Sequence, residues 1–177
     1  MAENLNYDYK INGSSYGNDC YDSSADSCAK YGRLYTWAAA MDSAATGCGY
    51  GANCAADSGA VQGVCPVGWH LPSHSEMVSF VYAIGGVTNS GKVLKATSGW
   101  LENGNGTDAF GFSALASGFM ARDENGYNTG YLTIFWASTD YSAGTAYGLY
   151  LRYNDVDANN GKRADKYYGY SVRCVKD

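Results

Sequence analysis

Val64-Cys-Pro-Val-Gly-Trp-His-Leu-Pro-Ser-His-Ser-Glu76 decides how this 177-residue chain folds, together with its distant counterpart Gly169-Tyr-Ser-Val-Arg-Cys-Val-Lys-Asp177. The first stretch reads as a tight loop feeding a capped helix. Ser73 and Glu76 stand at capping-box spacing, where each side chain satisfies an amide that the first helical turn leaves without a partner. Met77, Phe80, Val81 and Ile84 then recur at i, i+3, i+4 and i+7, the apolar stripe of a helix lying on a core. Gly85-Gly86 ends it by supplying a left-handed turn. The second stretch reads as a final strand. A bond from Cys65 to Cys174 would staple the helix start to that strand and close a loop of about 110 residues, contributing on the order of 4–5 kcal/mol in the chain-entropy model.

Six cysteines permit fifteen pairings, so their number alone leaves connectivity open. Spacing favours one set. Cys20 and Cys28 bracket a short acidic, Ser-rich loop, Cys48 and Cys54 bracket Gly-Tyr-Gly-Ala-Asn, and Cys65 is left for Cys174. No pair stands at Cys-x2-Cys zinc spacing. Structural disulfides belong to oxidising compartments, which points to a chain outside the cell or on a cell surface.

The rest of the composition narrows the class. A net charge of −5 with no basic stripe argues against a nucleic-acid partner. No apolar run nears the ~20 residues of a membrane-spanning helix, which argues against membrane insertion. No secretory signal opens the chain, so residues 1–177 are read as a single domain excised from a longer secreted or surface protein. Charged residues make up only 16%, whereas there are 23 Gly and 17 Tyr, a composition suited to contact surfaces because Tyr offers area at low entropic cost.

Along the chain, residues 1–30 are expected to form one short strand and a disulfide-pinned loop. A helix is expected within Gly32–Met41, with Thr36 as its N-cap, and Gly47–Gly63 reads as a long loop without periodicity. Ser90–Ala96 is expected to add a helical turn. Strands are expected at Phe110–Leu115, Tyr131–Ser138, Ala146–Tyr153 and Tyr168–Val175. Turn clusters at Asp123–Gly126, Tyr141–Gly144 and Asn154–Gly161 separate the later ones. Helices first and an antiparallel sheet later make the fold class α+β, with two main helices and a twisted antiparallel sheet.

In order along the chain stand Met1-Ala-Glu-Asn-Leu-Asn-Tyr7, Tyr31-Gly-Arg-Leu-Tyr-Thr-Trp-Ala-Ala-Ala-Met41, Val64–Ser73, Gly91-Lys-Val-Leu-Lys-Ala-Thr-Ser-Gly-Trp100, Gly104–Leu115, Trp136-Ala-Ser-Thr-Asp140 and Ser171–Asp177. Together these blocks resemble the Fibrobacter succinogenes major paralogous domain, a bacterial surface domain related to the C-type-lectin-like and formylglycine-generating-enzyme folds. Met77 departs from the pattern, since the family usually has Trp after the helix-opening Glu. The resemblance implies a C-type-lectin-like fold whose C-terminal third forms the ligand-facing sheet and loops.

Catalysis is not expected. Formylglycine-generating enzymes use paired reactive cysteines near the C-terminus, and here Cys174 is the only cysteine after Cys65; held in a disulfide, it is no thiolate. His70 and His74 are read as framework and exposed-turn residues rather than a catalytic pair. No cofactor is expected. One loop, Asn154, Asp155 and Asp157, has the oxygen-rich composition that calcium prefers, although the sugar-binding triplets of C-type lectins are lacking.

The candidate ligand face comprises Trp136, Tyr141, Tyr147, Tyr150, Arg152, Tyr153, Arg163, Tyr167 and Tyr168. Leu149 and Leu151 would turn to the core and leave Tyr150 and Arg152 on the other side of their strand. Aromatic faces stack on sugar rings, and Arg, Asn and Asp complete the hydrogen bonding. The expected function is therefore a non-catalytic recognition or adhesion module for polysaccharide or a cell-surface protein. Two alternatives stand beside it. One is a binder of protein ligands diversified by a retroelement that mutates adenines, which converts Asn codons to Tyr, Asp and Ser; the other is a surface module with no ligand.

Overall fold

Short elements dominate the N-terminal third, where Gly, Asn and Ser recur between short apolar runs. The computed structural model describes residues 1, 3–54, 60–121 and 125–177. Strands β1 (Lys10–Ile11) and β2 (Ser14–Ser15) form a small hairpin, and β3 (Asn18–Asp19) pairs with β4 (Leu34–Tyr35). Between β3 and β4 lies α1 (Ala25–Tyr31), a helix where a loop was expected. The Cys20–Cys28 bond pins its middle and Gly32, at φ 74°, ends it.

Thr36 caps α2 (Trp37–Ala40) by accepting from the Ala39 amide at 3.3 Å, as expected, although the residues just before it pair as a strand. The one-turn α3 (Ser43–Thr46) follows. The expected 47–63 loop includes positions 55–59, which lie outside the described residues.

β5 (Trp69–His70) leads into α4 (His74–Ala83). The capping box is complete: Glu76 N donates to Ser73 Oγ at 3.2 Å, and Ser73 N donates to Glu76 Oε2 at 2.8 Å. Met77 and Val81 are buried, with Phe80 and Ile84 packed half-buried beside them, and Gly85 stops the helix at φ 112°. α5 (Ser90–Leu94) is the expected extra turn.

Phe110–Leu115 is not a strand. The Asp108 carboxylate accepts from the Ser113 amide at 2.6 Å, and only Ala114 bridges, to Lys95. A side chain offering a local bond draws backbone away from a ladder. β6 (Phe119–Met120) and β7 (Gly126–Tyr127) pair next; of the expected 123–126 turn, positions 123 and 124 lie outside the described residues.

The central sheet has the order β10-β9-β8, all antiparallel, built from β8 (Leu132–Asp140), β9 (Thr145–Arg152) and β10 (Asn159–Asp165). Gly148 permits the close pairing of β8 and β9, since a Cβ there would stand 2.9 Å from the Phe135 carbonyl oxygen and 2.8 Å from Ile134 Cγ2. β10 begins within the expected 154–161 turn cluster, sharing positions 159–161 with it, and continues through positions to which no strand was assigned. Its Lys162 and Arg163 are exposed, and a charged, bulged edge strand carries no apolar alternation to read.

The final segment is not one continuous strand either. Gly169, Tyr170 and Ser171 each bridge a different partner (Met120, Tyr35 and Phe135), and only β11 (Val175–Lys176) pairs in register, with β5. Three disulfides staple the α+β fold, Cys20–Cys28, Cys48–Cys54 and Cys65–Cys174, the pairing that spacing favoured.

Both faces of the sheet are covered. Ile134 and Trp136 enter a core with Tyr35, Trp37, Leu71 and Val172. Phe135, Ala137, Leu149 and Leu151 enter a second core with Met77, Val81, Leu94 and Trp100. This double cover explains why β8 is buried almost continuously from Thr133 to Thr139.

Candidate functional site

The turn between β8 and β9 gathers three exposed tyrosines, Tyr50, Tyr141 and Tyr167. Tyr141 leaves the end of β8 with nearly half its surface exposed (48%). Its ring meets Tyr147 of β9 edge-on, centroids 5.7 Å apart. Arg163 lies opposite Tyr147 in the β9–β10 register, and its guanidinium sits 3.7 Å from the Tyr141 ring centroid. On the other side of Tyr147, His74 stacks nearly parallel at 3.9 Å. The His74 backbone amide donates to Thr139 Oγ1 at 3.0 Å, which fixes the start of α4 against the end of β8. His74 Nε2 is buried and, among the described residues, has no hydrogen-bond partner. The result is one tier of Arg163, Tyr141, Tyr147 and His74, of which sequence reasoning missed only His74. No periodicity in α4 signals a contact made from a separate strand.

A second aromatic pair flanks the same turn. Tyr50 and Tyr167, both exposed, approach to 3.7 Å between centroids. Backbone bonds from Gly51 to Ala143 (2.8 Å) and from Lys166 to Gly144 (3.0 Å) dock both segments onto the turn. Lys166 itself is buried, donating to the Ala52 carbonyl at 2.8 Å and lying 4.1 Å from the Trp37 ring centroid. Burial lowers its pKa, against the pull of Asp140. Tyr167 also borders a polar cavity of about 630 Å³, lined by Asn18, Asp19, Arg33 and Thr36 among others. Tyr50 was missed because it stands in the Cys48–Cys54 loop, far from the C-terminal third in sequence.

The remaining candidates divide. Trp136 is fully buried (0% exposed), its indole N–H donating to the Tyr35 carbonyl at 2.7 Å and its ring 4.8 Å from Tyr170. The expectation that it belongs to a ligand face is thus corrected: a strand covered on both sides has no outer face for it. Tyr150 is half-buried against the first core, with Lys162 and Arg152 at 5.3 and 5.9 Å from its ring. Burial raises its pKa, partly offset by Arg152. Leu149 and Leu151 are buried as read, and Arg152 is exposed. Tyr153 packs edge-on against Tyr131 at 5.2 Å, and Tyr168 lies 5.6 Å from Phe119. These four stand apart from the Tyr141 tier.

The oxygen-rich loop is engaged by its own backbone. Asp155 Oδ1 accepts from the Asp157 amide (2.9 Å) and Asp157 Oδ1 from the Asn89 amide (2.7 Å). The Lys95 ammonium donates to the Arg152 and Asp155 carbonyls at 2.9 and 2.8 Å, so a cation already faces the loop that includes Asn154. Among the described residues no three His, Cys, Asp or Glu side chains converge as a metal would require.

His70 is buried between two carboxylates, Nδ1 to Asp177 Oδ1 at 2.7 Å and Nε2 to Glu76 Oε1 at 2.8 Å. Burial favours the neutral ring, but the hydrogen bonds to Asp177 and Glu76 outweigh it and raise the His70 pKa.

The chain belongs to the Fibrobacter succinogenes major domain family, whose model matches residues 1–176. No curated protein and no solved structure matches it.

Proposed function

We propose that this chain is a non-catalytic extracellular recognition module, of C-type-lectin-like fold, that binds polysaccharide or another cell-surface ligand at the β8–β9 turn. The observation that carries this reading is the Arg163–Tyr141–Tyr147 tier. It combines the exposed Tyr141 ring with a guanidinium poised above it and the half-buried Tyr147 ring beside it. Flat rings stack on the apolar faces of sugars, and a neighbouring guanidinium supplies donors in a fixed fork. The Tyr50–Tyr167 pair and the polar cavity beside it extend that surface. Three disulfides accord with an oxidising compartment. Among the described residues no helix is long and apolar enough to cross a membrane.

A glycan and polysaccharide screen tests the proposal, run with and without calcium on the parent chain and on Tyr141→Ala/Tyr147→Ala. Binding by the parent that the variant loses supports a carbohydrate-recognition face. Binding equal in both assigns the ligand elsewhere. Failure on every glycan, with capture of a defined surface protein that the variant loses, moves the assignment to a protein ligand.

A further inference from the structure

On the far side of α4 from the Tyr141 tier, a groove of about 580 Å³ opens between the helix and the C-terminal segment. That volume is in the range of small-molecule sites. Trp69, Met77, Phe80, Phe112, Phe135 and Leu149 are among the residues of its wall. Phe112 is central, 5.4 Å from the Phe80 ring and 5.5 Å from the Phe135 ring.

One cation is set into this apolar wall. Arg173 is 5% exposed, and its guanidinium lies 4.2 Å from the Phe112 ring centroid and 5.2 Å from that of Phe135. Nε donates to Asn4 Oδ1 at 2.7 Å, and the terminal nitrogens donate to the carbonyls of Phe112 and of Ser113, the latter at 3.1 Å. These partners are neutral. They hold the group in place without neutralising it, and two of its five N–H donors are left over. No carboxylate of the described residues lies within ion-pair distance of it. Burial pulls its pKa down to about 10, and Asp108 and Glu3 only partly offset this. Buried charges are ordinarily paired, and here Asp108 and Glu3 act only from beyond ion-pair distance, beside an open apolar groove.

We propose that this groove binds a small carboxylate carrying an apolar chain, with the carboxylate on Arg173 and the chain along Phe112, Phe80 and Met77. Arg173 is the buried cation of the groove, while Glu76 and Lys176 line it as exposed residues of opposite charge, so a monoanion is suited at the Arg173 end and the apolar wall suits a hydrocarbon tail rather than a sugar. The site is separate from the proposed recognition face.

Calorimetric titration of the whole chain with decanoate, octanoate, decanol and decyltrimethylammonium, each below its micelle concentration, tests this. Saturable decanoate binding is expected, with decanol weaker by roughly tenfold or more for lack of a charge-assisted bond, and octanoate weaker by about fourfold per methylene removed. Ser79 is exposed on the groove rim, so Ser79→Trp should abolish binding without touching the core, while Tyr141→Ala leaves it unchanged. Arg173→Met should bring decanoate and decanol to equal affinity; if that variant does not fold, the parent's discrimination among the four probes still decides. Absence of saturable decanoate binding overturns the proposal. So does equal affinity for decanol or the ammonium probe, or binding that survives Ser79→Trp. Sedimentation showing a dimer that Ser79→Trp dissolves would assign the groove to a second copy of the chain and overturn it as well.

Discussion

His70 hydrogen-bonds Glu76 at 2.8 Å across the start of α4, while Asp177 holds the other ring nitrogen. The contact ties the capping box of α4 to the strand pair β5–β11. Its two partners titrate in opposite senses. Glu76 is raised by burial, but the Ser73 amide and hydroxyl and the His70 ring together bring its pKa below the ordinary value.

Stability should therefore depend on pH through this cluster. The raised His70 pKa contributes stability that is full below about 6.5 and is lost as pH rises through the folded-state value. The lowered Glu76 pKa contributes stability present above about 4.5 and lost as pH falls through its folded-state value. Urea midpoints measured across pH 3 to 9 should peak between those limits, and His70→Gln should flatten the alkaline side. A parent profile identical to that of His70→Gln would refute the linkage.

Trp136 and Tyr141 should separate stability from recognition. Trp136→Ala removes a fully buried ring and its bond to Tyr35 and should cost about 3–5 kcal/mol. Tyr141→Ala removes an exposed ring and should stay within about 0.5 kcal/mol of the parent while impairing ligand binding. Denaturant melts of both variants check this; a neutral Trp136→Ala would contradict the two-sided burial of β8.

The long-range disulfide should matter most. In the chain-entropy model, Cys65–Cys174, with a sequence separation of 109, contributes about 4–5 kcal/mol, and Cys20–Cys28, with a separation of 8, about 2–3 kcal/mol. Paired Cys→Ser variants compared by urea unfolding should lose stability in that order. The reverse order would show that loop closure does not govern these bonds.

Gly148→Ala should be destabilising by about 1–3 kcal/mol, the usual range for overpacking. The added methyl would meet the Phe135 carbonyl and Ile134. Thermal unfolding of this variant beside Gly144→Ala, where the nearest atom is a Tyr50 ring carbon at 3.6 Å, gives the contrast; equal melting points would refute the close strand approach.

Local chemistry by itself determined the parts of this protein that rest on neighbours in sequence. Ser73 and Glu76 specify the start of α4, Gly85 its end, and Thr36 the cap of α2, because capping and left-handed turns involve residues a few positions apart. The two short disulfides and the α+β order of elements were legible for the same reason. Tertiary structure alone decided whether an aromatic residue faces ligand or core. Trp136 and Tyr141 stand five positions apart in equally aromatic surroundings, yet one is sealed between Tyr35 and Tyr170 and the other projects beyond the strand. Burial depends on what covers each face of the sheet, and those covers, α4 on one side and the bridging segment 169–173 with α2 on the other, come from distant parts of the chain. The same holds for His74 beneath Tyr147, Tyr50 against Tyr167, and the Arg173 guanidinium beside Phe112. Each pairing joins segments that carry no mark of one another until the backbone brings them together.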